Sequence, residues 1–273
     1  MCYSPIYLKS KDIYVDCRKC FECRQKIARE WSIRLCAELG ESPHSLFVTL
    51  TFSDDYYDTA TLCKSDVQLF LKRLRKSLKG RKIKYFAVGE YGDLTHRKHY
   101  HLILFNVYFF DIDVIKKCWY FGNVDIGAVQ YKSISYVTGY VNKKISDSES
   151  DDFEEAGFVP AFRLMSKNLG TSFIYKNFDE YIREMSFTFS GKKFPVPRYF
   201  REKLGLISDN PEYSDFIDKK IFDHFLKLSQ KLSLEFDGDV SAFVEKLYNI
   251  GYFEEREILS TVKNKIYTNR SKI

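Results

Sequence analysis

The chain has 273 residues, 45% hydrophobic and 17% aromatic, enough for one generous domain or two small ones with a full core. Its net charge of +6 and pI near 8.7 lean only mildly toward a polyanionic partner. No apolar run reaches 18 residues, and the start, "MCYSPIYLKSKDIYVDC", lacks a basic segment followed by an apolar one, so neither a membrane span nor a secretory leader is expected and the compartment is read as cytoplasm.

The first motif is "CRKCFEC", which sets Cys17, Cys20 and Cys23 at C-x2-C-x2-C, with Cys2 as a fourth thiolate source. In a reducing compartment this is a candidate structural Zn2+ site; an iron–sulfur cluster and free thiols at the foot of a helix are the alternatives. Cys36, Cys63 and Cys118 sit in apolar patterns and read as core. Residues 24–39 carry Ile27, Trp31 and Leu35 at helical spacing. "SLFVTLTF", 45–52, reads as a buried strand. Residues 64–80 read as a helix capped by Ser65 and closed by Gly80. Strands follow at 82–92 and 99–109, joined by a short polar link that makes them antiparallel. Next come a helix at 111–122 stopped by Gly122, a strand at 123–132, and a helix at 133–144 capped by Ser133. Residues 158–177 read as irregular, and two or three helices finish the chain from about Ser214.

This order predicts an α+β fold: one mostly antiparallel central sheet with helices on a face, an N-terminal cysteine-containing extension (1–40), a central domain (41–205) and a helical C-terminal region (206–273). Charge is uneven. Residues 72–84 hold eight bases in thirteen and no acid: Lys72, Arg73, Arg75, Lys76, Lys79, Arg81, Lys82 and Lys84, a candidate DNA-binding run or simply a solvated face. Residues 146–157 hold six acids in twelve and read as a loop.

"KHYHLILF" places two of the chain's five histidines, His99 and His101, on one face of a strand, while Tyr100, Leu102 and Leu104 face the other way. Glu90, at the end of the partner strand, is a third ligand candidate. Two imidazoles and one carboxylate suit Mg2+ or Mn2+ polarising a phosphate, and tolerate Zn2+; the bland alternative is a pair of half-buried histidines with ordinary hydrogen bonds. In "SYVTGYVNKK", Tyr136, Tyr140 and Lys143 share a helix face. A tyrosine oxygen can attack a phosphodiester when a cation lies close, although two tyrosines at this spacing also suit plain packing. The nearness of Lys143 makes Tyr140 the expected stronger nucleophile, and His99→Ala or His101→Ala is expected to leave the fold intact.

In order, "FVTLTF", "GEYG" with "HYHLILF", and "YVTGYVNKK" resemble the three motifs of the HUH endonucleases, and the double tyrosine with its lysine resembles the two-nucleophile rolling-circle initiators. "CRKCFECRQKIAREWSIR", "WYFGNVDIGAVQYKSISYVTGYVNKK", "FRLMSKNLG" and "PRYF" look like the replication initiators of the Microviridae, gokushovirus type. The resemblance spans roughly residues 2–200. Lys98 stands where that family more often has proline, and "KNLGTSF" where it usually has a proline–glycine turn. It implies nicking of single-stranded or origin DNA through a 5′-phosphotyrosine, rejoining by the second tyrosine, and host replication machinery as a partner. No G-x-x-x-x-G-K-[ST] helicase loop occurs. A single-strand transposase or relaxase, or a non-catalytic zinc-containing nucleic-acid binder, are the competing readings.

Overall fold

The computed structural model describes residues 2–10, 13–42, 44–56, 61–92, 97–143, 155, 157–184, 186–189, 191–205 and 211–270. The chain forms two compact units, one of residues 28–200 and one of residues 1–27 with 201–273. The acidic run, 146–157, falls largely outside the described residues.

The elements, in chain order, are β1 (Ile6–Leu8), β2 (Ile13–Val15), α1 (Phe21–Glu41), β3 (Ser45–Leu50), α2 (Lys64–Ser77), β4 (Lys84–Tyr91), β5 (Lys98–Phe105), α3 (Ile112–Cys118), β6 (Val124–Ala128), α4 (Tyr131–Lys143) and β7 (Phe162–Met165). After them come α5 (Thr171–Lys176), α6 (Phe178–Glu184), β8 (Ser186–Phe189), β9 (Lys192–Pro195), α7 (Arg198–Lys203), α8 (Pro211–Leu232), α9 (Val240–Asn249) and α10 (Tyr252–Arg270). The larger unit is an α+β fold around a five-stranded sheet ordered β6-β3-β5-β4-β7, with every neighbouring pair antiparallel.

Strand alternation decides what each sheet face does. On one face Leu46, Val48 and Leu50 of β3 meet Tyr100, Leu102 and Leu104 of β5, and α2 and α3 cover them with Val67, Phe70, Leu71, Leu74 and Ile115. Each such side chain contributes about 1.5–3 kcal/mol when fully buried. The opposite face carries Phe47, Thr49, Phe86, Val88, His99, His101 and Ile103, by the register of β3, β4 and β5. There Trp31 of α1 packs on Phe86, ring centroids 5.1 Å apart, and a 2.8 Å hydrogen bond joins Ser32 of α1 to Thr138 of α4. Helices therefore cover both faces, rather than the single face expected from the element order.

Several boundaries differ from the sequence reading for local reasons. Cys63, not Ser65, is the N-cap of α2, and no side chain caps it. The buried Tyr100 hydroxyl closes that helix start instead, accepting from Cys63 N at 3.1 Å and donating to Asp66 at 2.6 Å. This is why a tyrosine stands between the two histidines. Helix α4 begins at Tyr131, and Ser133 reaches back to accept from Gln130 N at 3.3 Å. The strand β7 runs through a segment that reads as irregular, because four residues with an arginine among them show no clear alternation.

Gly122 does not stop α3, which ends at Cys118. It lets the chain pass against the end of β3: a Cβ there would lie 2.4 Å from Ser53 N and 2.5 Å from Thr51 O. Gly122→Ala is therefore expected to lower stability by about 2–3 kcal/mol, because backbone cannot give way as a side-chain tip can. A shift of the urea midpoint at unchanged slope is the measurement; an unshifted midpoint would contradict the close approach.

Candidate metal and tyrosine centre

The register pairs Glu90 of β4 with His99 of β5, and His101 lies two residues along the same face. Glu90 Oε1 is 2.7 Å from His99 Nε2 and 3.0 Å from His101 Nε2. The outer nitrogens are engaged as well: His99 Nδ1 lies 3.2 Å from the Arg97 carbonyl, and His101 Nδ1 3.0 Å from Thr49 Oγ1. An Nδ1–H given to the carbonyl leaves Nε2 with its lone pair, which is the tautomer that ligation needs. Burial pushes the Glu90 carboxyl up, but hydrogen bonds from His101 and His99 outweigh it and hold the group below its ordinary value. One ligand atom from each residue lies within 4.8 Å of the others, so the set fits a divalent cation.

Helix α4 brings both tyrosines to this cluster. The Tyr136 hydroxyl is 3.5 Å from His101 Nε2, the outer limit of a hydrogen bond. The Tyr140 ring stacks on His101 with centroids 5.8 Å apart, and Tyr136 meets Tyr140 edge-on at 4.8 Å. Tyr136 is 48% exposed and Tyr140 8%. That order runs against the expected primacy of Tyr140: the outward hydroxyl belongs to Tyr136. Helix α4 ends at Lys143, whose side chain lies outside the described residues.

Sequence reasoning missed the supporting residues. Thr49 sits directly beside His101 in the sheet, and Phe47 stacks on His101 at 5.7 Å. Both were visible as alternate positions of "FVTLTF", but only the β3–β5 register assigns them to the histidine face. The quoted segments "EWSIR", "NLG" and "PRYF" meet behind the sheet. The Arg34 guanidinium lies 4.0 Å from the Trp31 ring and 3.7 Å from the Tyr199 ring, and burial lowers its pKa to about 10. Gly170, at φ +78°, gives its N–H to the buried Glu38 carboxylate at 2.8 Å, and Glu38 also pairs with Lys84 at 2.8 Å.

The basic run divides. Helix α2 covers the sheet face opposite the histidines, so its bases do not join the cluster. Arg73 donates to the Cys118 carbonyl at 2.9 Å, Arg81 pairs with Asp111, and Lys84 is taken by Glu38. Lys72, Arg75, Lys76, Lys79 and Lys82 are exposed. Lys98 is buried on the same face as Tyr100, its ammonium 4.4 Å from the Phe52 ring centroid. In the smaller unit the sulfurs of Cys2, Cys17, Cys20 and Cys23 lie within 4.8 Å of one another. Cys118 is buried in the core, while Cys36 and Cys63 are half-buried.

Residues 45–145 match the family model described as Replication-associated protein ORF2. Replication-associated protein ORF2 of Spiroplasma virus 4 is 31% identical over 234 residues, 76% of this chain and 72% of that protein. Replication-associated protein VP4 of Bdellovibrio phage phiMH2K is 30% identical over 210 residues, covering 68% and 66% of the two chains. Replication-associated protein ORF4 of Chlamydia phage 1 is 28% identical over 220 residues, covering 72% and 55%.

Proposed function

Because the chain belongs to the replication-associated protein ORF2 family of phages, we propose that it starts replication by nicking single-stranded or origin DNA through a tyrosine and later rejoins the ends. The observation that supports this reading is the convergence of two tyrosines on one Glu90–His99–His101 cluster. Mg2+ or Mn2+ held by these three residues supplies positive charge at the scissile phosphate.

The chain's own groups do the rest. Thr49 and the Arg97 carbonyl fix the two rings. Tyr136, exposed and nearest to Nε2, presents its oxygen first. A bond forms from that oxygen to phosphorus, and the bond from phosphorus to the 3′-oxygen breaks. The phenol gives up one proton and the 3′-oxygen takes one, so the step balances. The 5′ end stays on the tyrosine, and the free 3′-hydroxyl serves the host polymerase. Tyr140, one turn along, makes the second cut, after which the stored end is joined to the new 3′-hydroxyl. Lys143 is the cation assigned to both tyrosines.

Incubation with origin-like single-stranded DNA and Mn2+ tests the reading. An SDS-resistant adduct is expected; its absence across a broad set of sequences would leave a non-catalytic nucleic-acid binder.

The exposed lysines of α2 are assigned to DNA beyond the nicked phosphate. Reversing Lys72, Lys76 and Lys79 to Glu is expected to weaken binding without sequence preference and to flatten the log–log salt slope by about 2, at roughly 0.7 per phosphate contact on a single strand. An unchanged slope would return these residues to a solvated face. Arg81 is left intact in this test because its reversal would also break the ion pair with Asp111.

A further inference from the structure

The second cluster of metal-type side chains lies outside the tyrosine centre and takes no part in its chemistry. Cys2 is brought back against the knuckle Cys17-Arg18-Lys19-Cys20, and Cys23 follows on the first turn of α1. The Cys17–Cys23 and Cys2–Cys20 sulfurs are 4.0 and 3.9 Å apart. A tetrahedron of sulfurs about 2.3 Å from a central zinc has edges of about 3.8 Å. The spacing suits one ion; a cluster of irons and sulfides would hold its thiolates further apart.

Two further observations point the same way. Backbone N–H groups are aimed at the sulfurs, from Cys17 to Cys2 Sγ and from Cys20 to Cys17 Sγ, each at 3.2 Å. A thiol is a weak acceptor, whereas a thiolate draws such donors strongly. Arg18 is held at φ +64°, a left-handed conformation that costs a non-glycine residue about 1–2 kcal/mol and folds the knuckle so that both its sulfurs face inward.

We propose that Cys2, Cys17, Cys20 and Cys23 bind one structural Zn2+ as a closed tetrathiolate, and that this ion fastens the N-terminal arm to the C-terminal helices. Four thiolates leave no open position, so the ion is structural rather than catalytic. What it fastens is visible on both sides. The Tyr3 hydroxyl donates to Glu22 at 2.6 Å, and Arg256 of α10 lies 5.7 Å from the Tyr3 ring. Tyr248 of α9 donates to the Pro5 carbonyl at 2.8 Å. Tyr14 of β2 packs against the cluster of Phe243, Val244, Leu247 and Phe253. An arm this short has little core of its own, so the metal supplies the missing cross-link.

The test is metal counting on the full chain, both unaltered and as His99→Ala/His101→Ala, so that zinc in the tyrosine centre is not counted. The double variant is expected to keep one zinc per chain by elemental analysis, with a four-sulfur shell by X-ray absorption. Stepwise modification of thiols should release that zinc. Chelation should raise amide exchange at least about tenfold in residues 13–23 and in α9 and α10, while β5 keeps its protection. Cys20→Ser should lose the zinc; should it fail to fold, the thiol titration on the unaltered chain still decides. A double variant without zinc, a brown iron chromophore, a shell with fewer than four sulfurs, or unchanged exchange after chelation would each overturn the proposal.

Discussion

With both tyrosines replaced, Tyr136→Phe/Tyr140→Phe, no covalent protein–DNA adduct is expected to form, a loss on the order of 10^6 in rate where a nucleophile has been removed from other enzymes. The variant should keep its fold. Phenylalanine preserves the edge-on contact between the two rings and the stacking of residue 140 on His101, and removes only two oxygens. The single variants separate the roles. Tyr136→Phe should suppress the first cut most, since its hydroxyl is exposed and lies 3.5 Å from Nε2. Tyr140→Phe should still nick once and accumulate adduct, yet fail to release a closed circle. Peptide mapping of the trapped adduct checks this. A nucleotide on any residue other than these two would sink the mechanism, and equal first-cut rates in the two single variants would remove the ranking.

Glu90→Gln is the second large effect: cleavage should fall at least about 10^3-fold in Mn2+, because a neutral amide cannot serve as the anionic ligand between two imidazoles. The change is nearly isosteric at a buried position, so thermal stability should shift far less than activity. His99→Ala is the companion variant, since that ring is only half-buried. His101→Ala is a poor choice, contrary to the sequence expectation that it removes little packing. That ring contacts Phe47, Tyr136 and Tyr140, so truncation would leave a cavity costing about 2–3 kcal/mol. Isothermal titration with Mn2+ should show binding to the unaltered chain and none to Glu90→Gln. Full nicking by Glu90→Gln would remove this residue from the metal site.

The sheet was legible because a short link forces its two strands antiparallel, and period-two alternation then aligns Glu90 with His99 without any structure. The double-tyrosine helix was legible because four-residue spacing survives in any α-helix. What was not legible is which helix lies over which face. The bases of α2 are near β4 in sequence, yet the apolar side of that helix is captured by Tyr100, Leu102 and Leu104, which turns the bases away from the histidines. The ranking of the tyrosines failed for a similar reason. Distance along a helix to Lys143 says nothing about which hydroxyl is outward, and contact with the His101 ring decides that. Linear pattern also gives no sign that both ends of the chain share one core, since Tyr14 and Phe243 belong to no common period.

That shared core has a consequence for synthesis. The first 27 residues leave the ribosome early, while the helices they pack with follow only after residues 28–200 have been made. At about 5–20 residues per second the arm waits roughly 10–35 s without its partners. During that interval the four cysteines form a complete set by themselves, since Cys2 to Cys23 emerge together. Metal capture can therefore precede helix docking, and the nascent arm is shielded from oxidation and mispairing before the chain is finished.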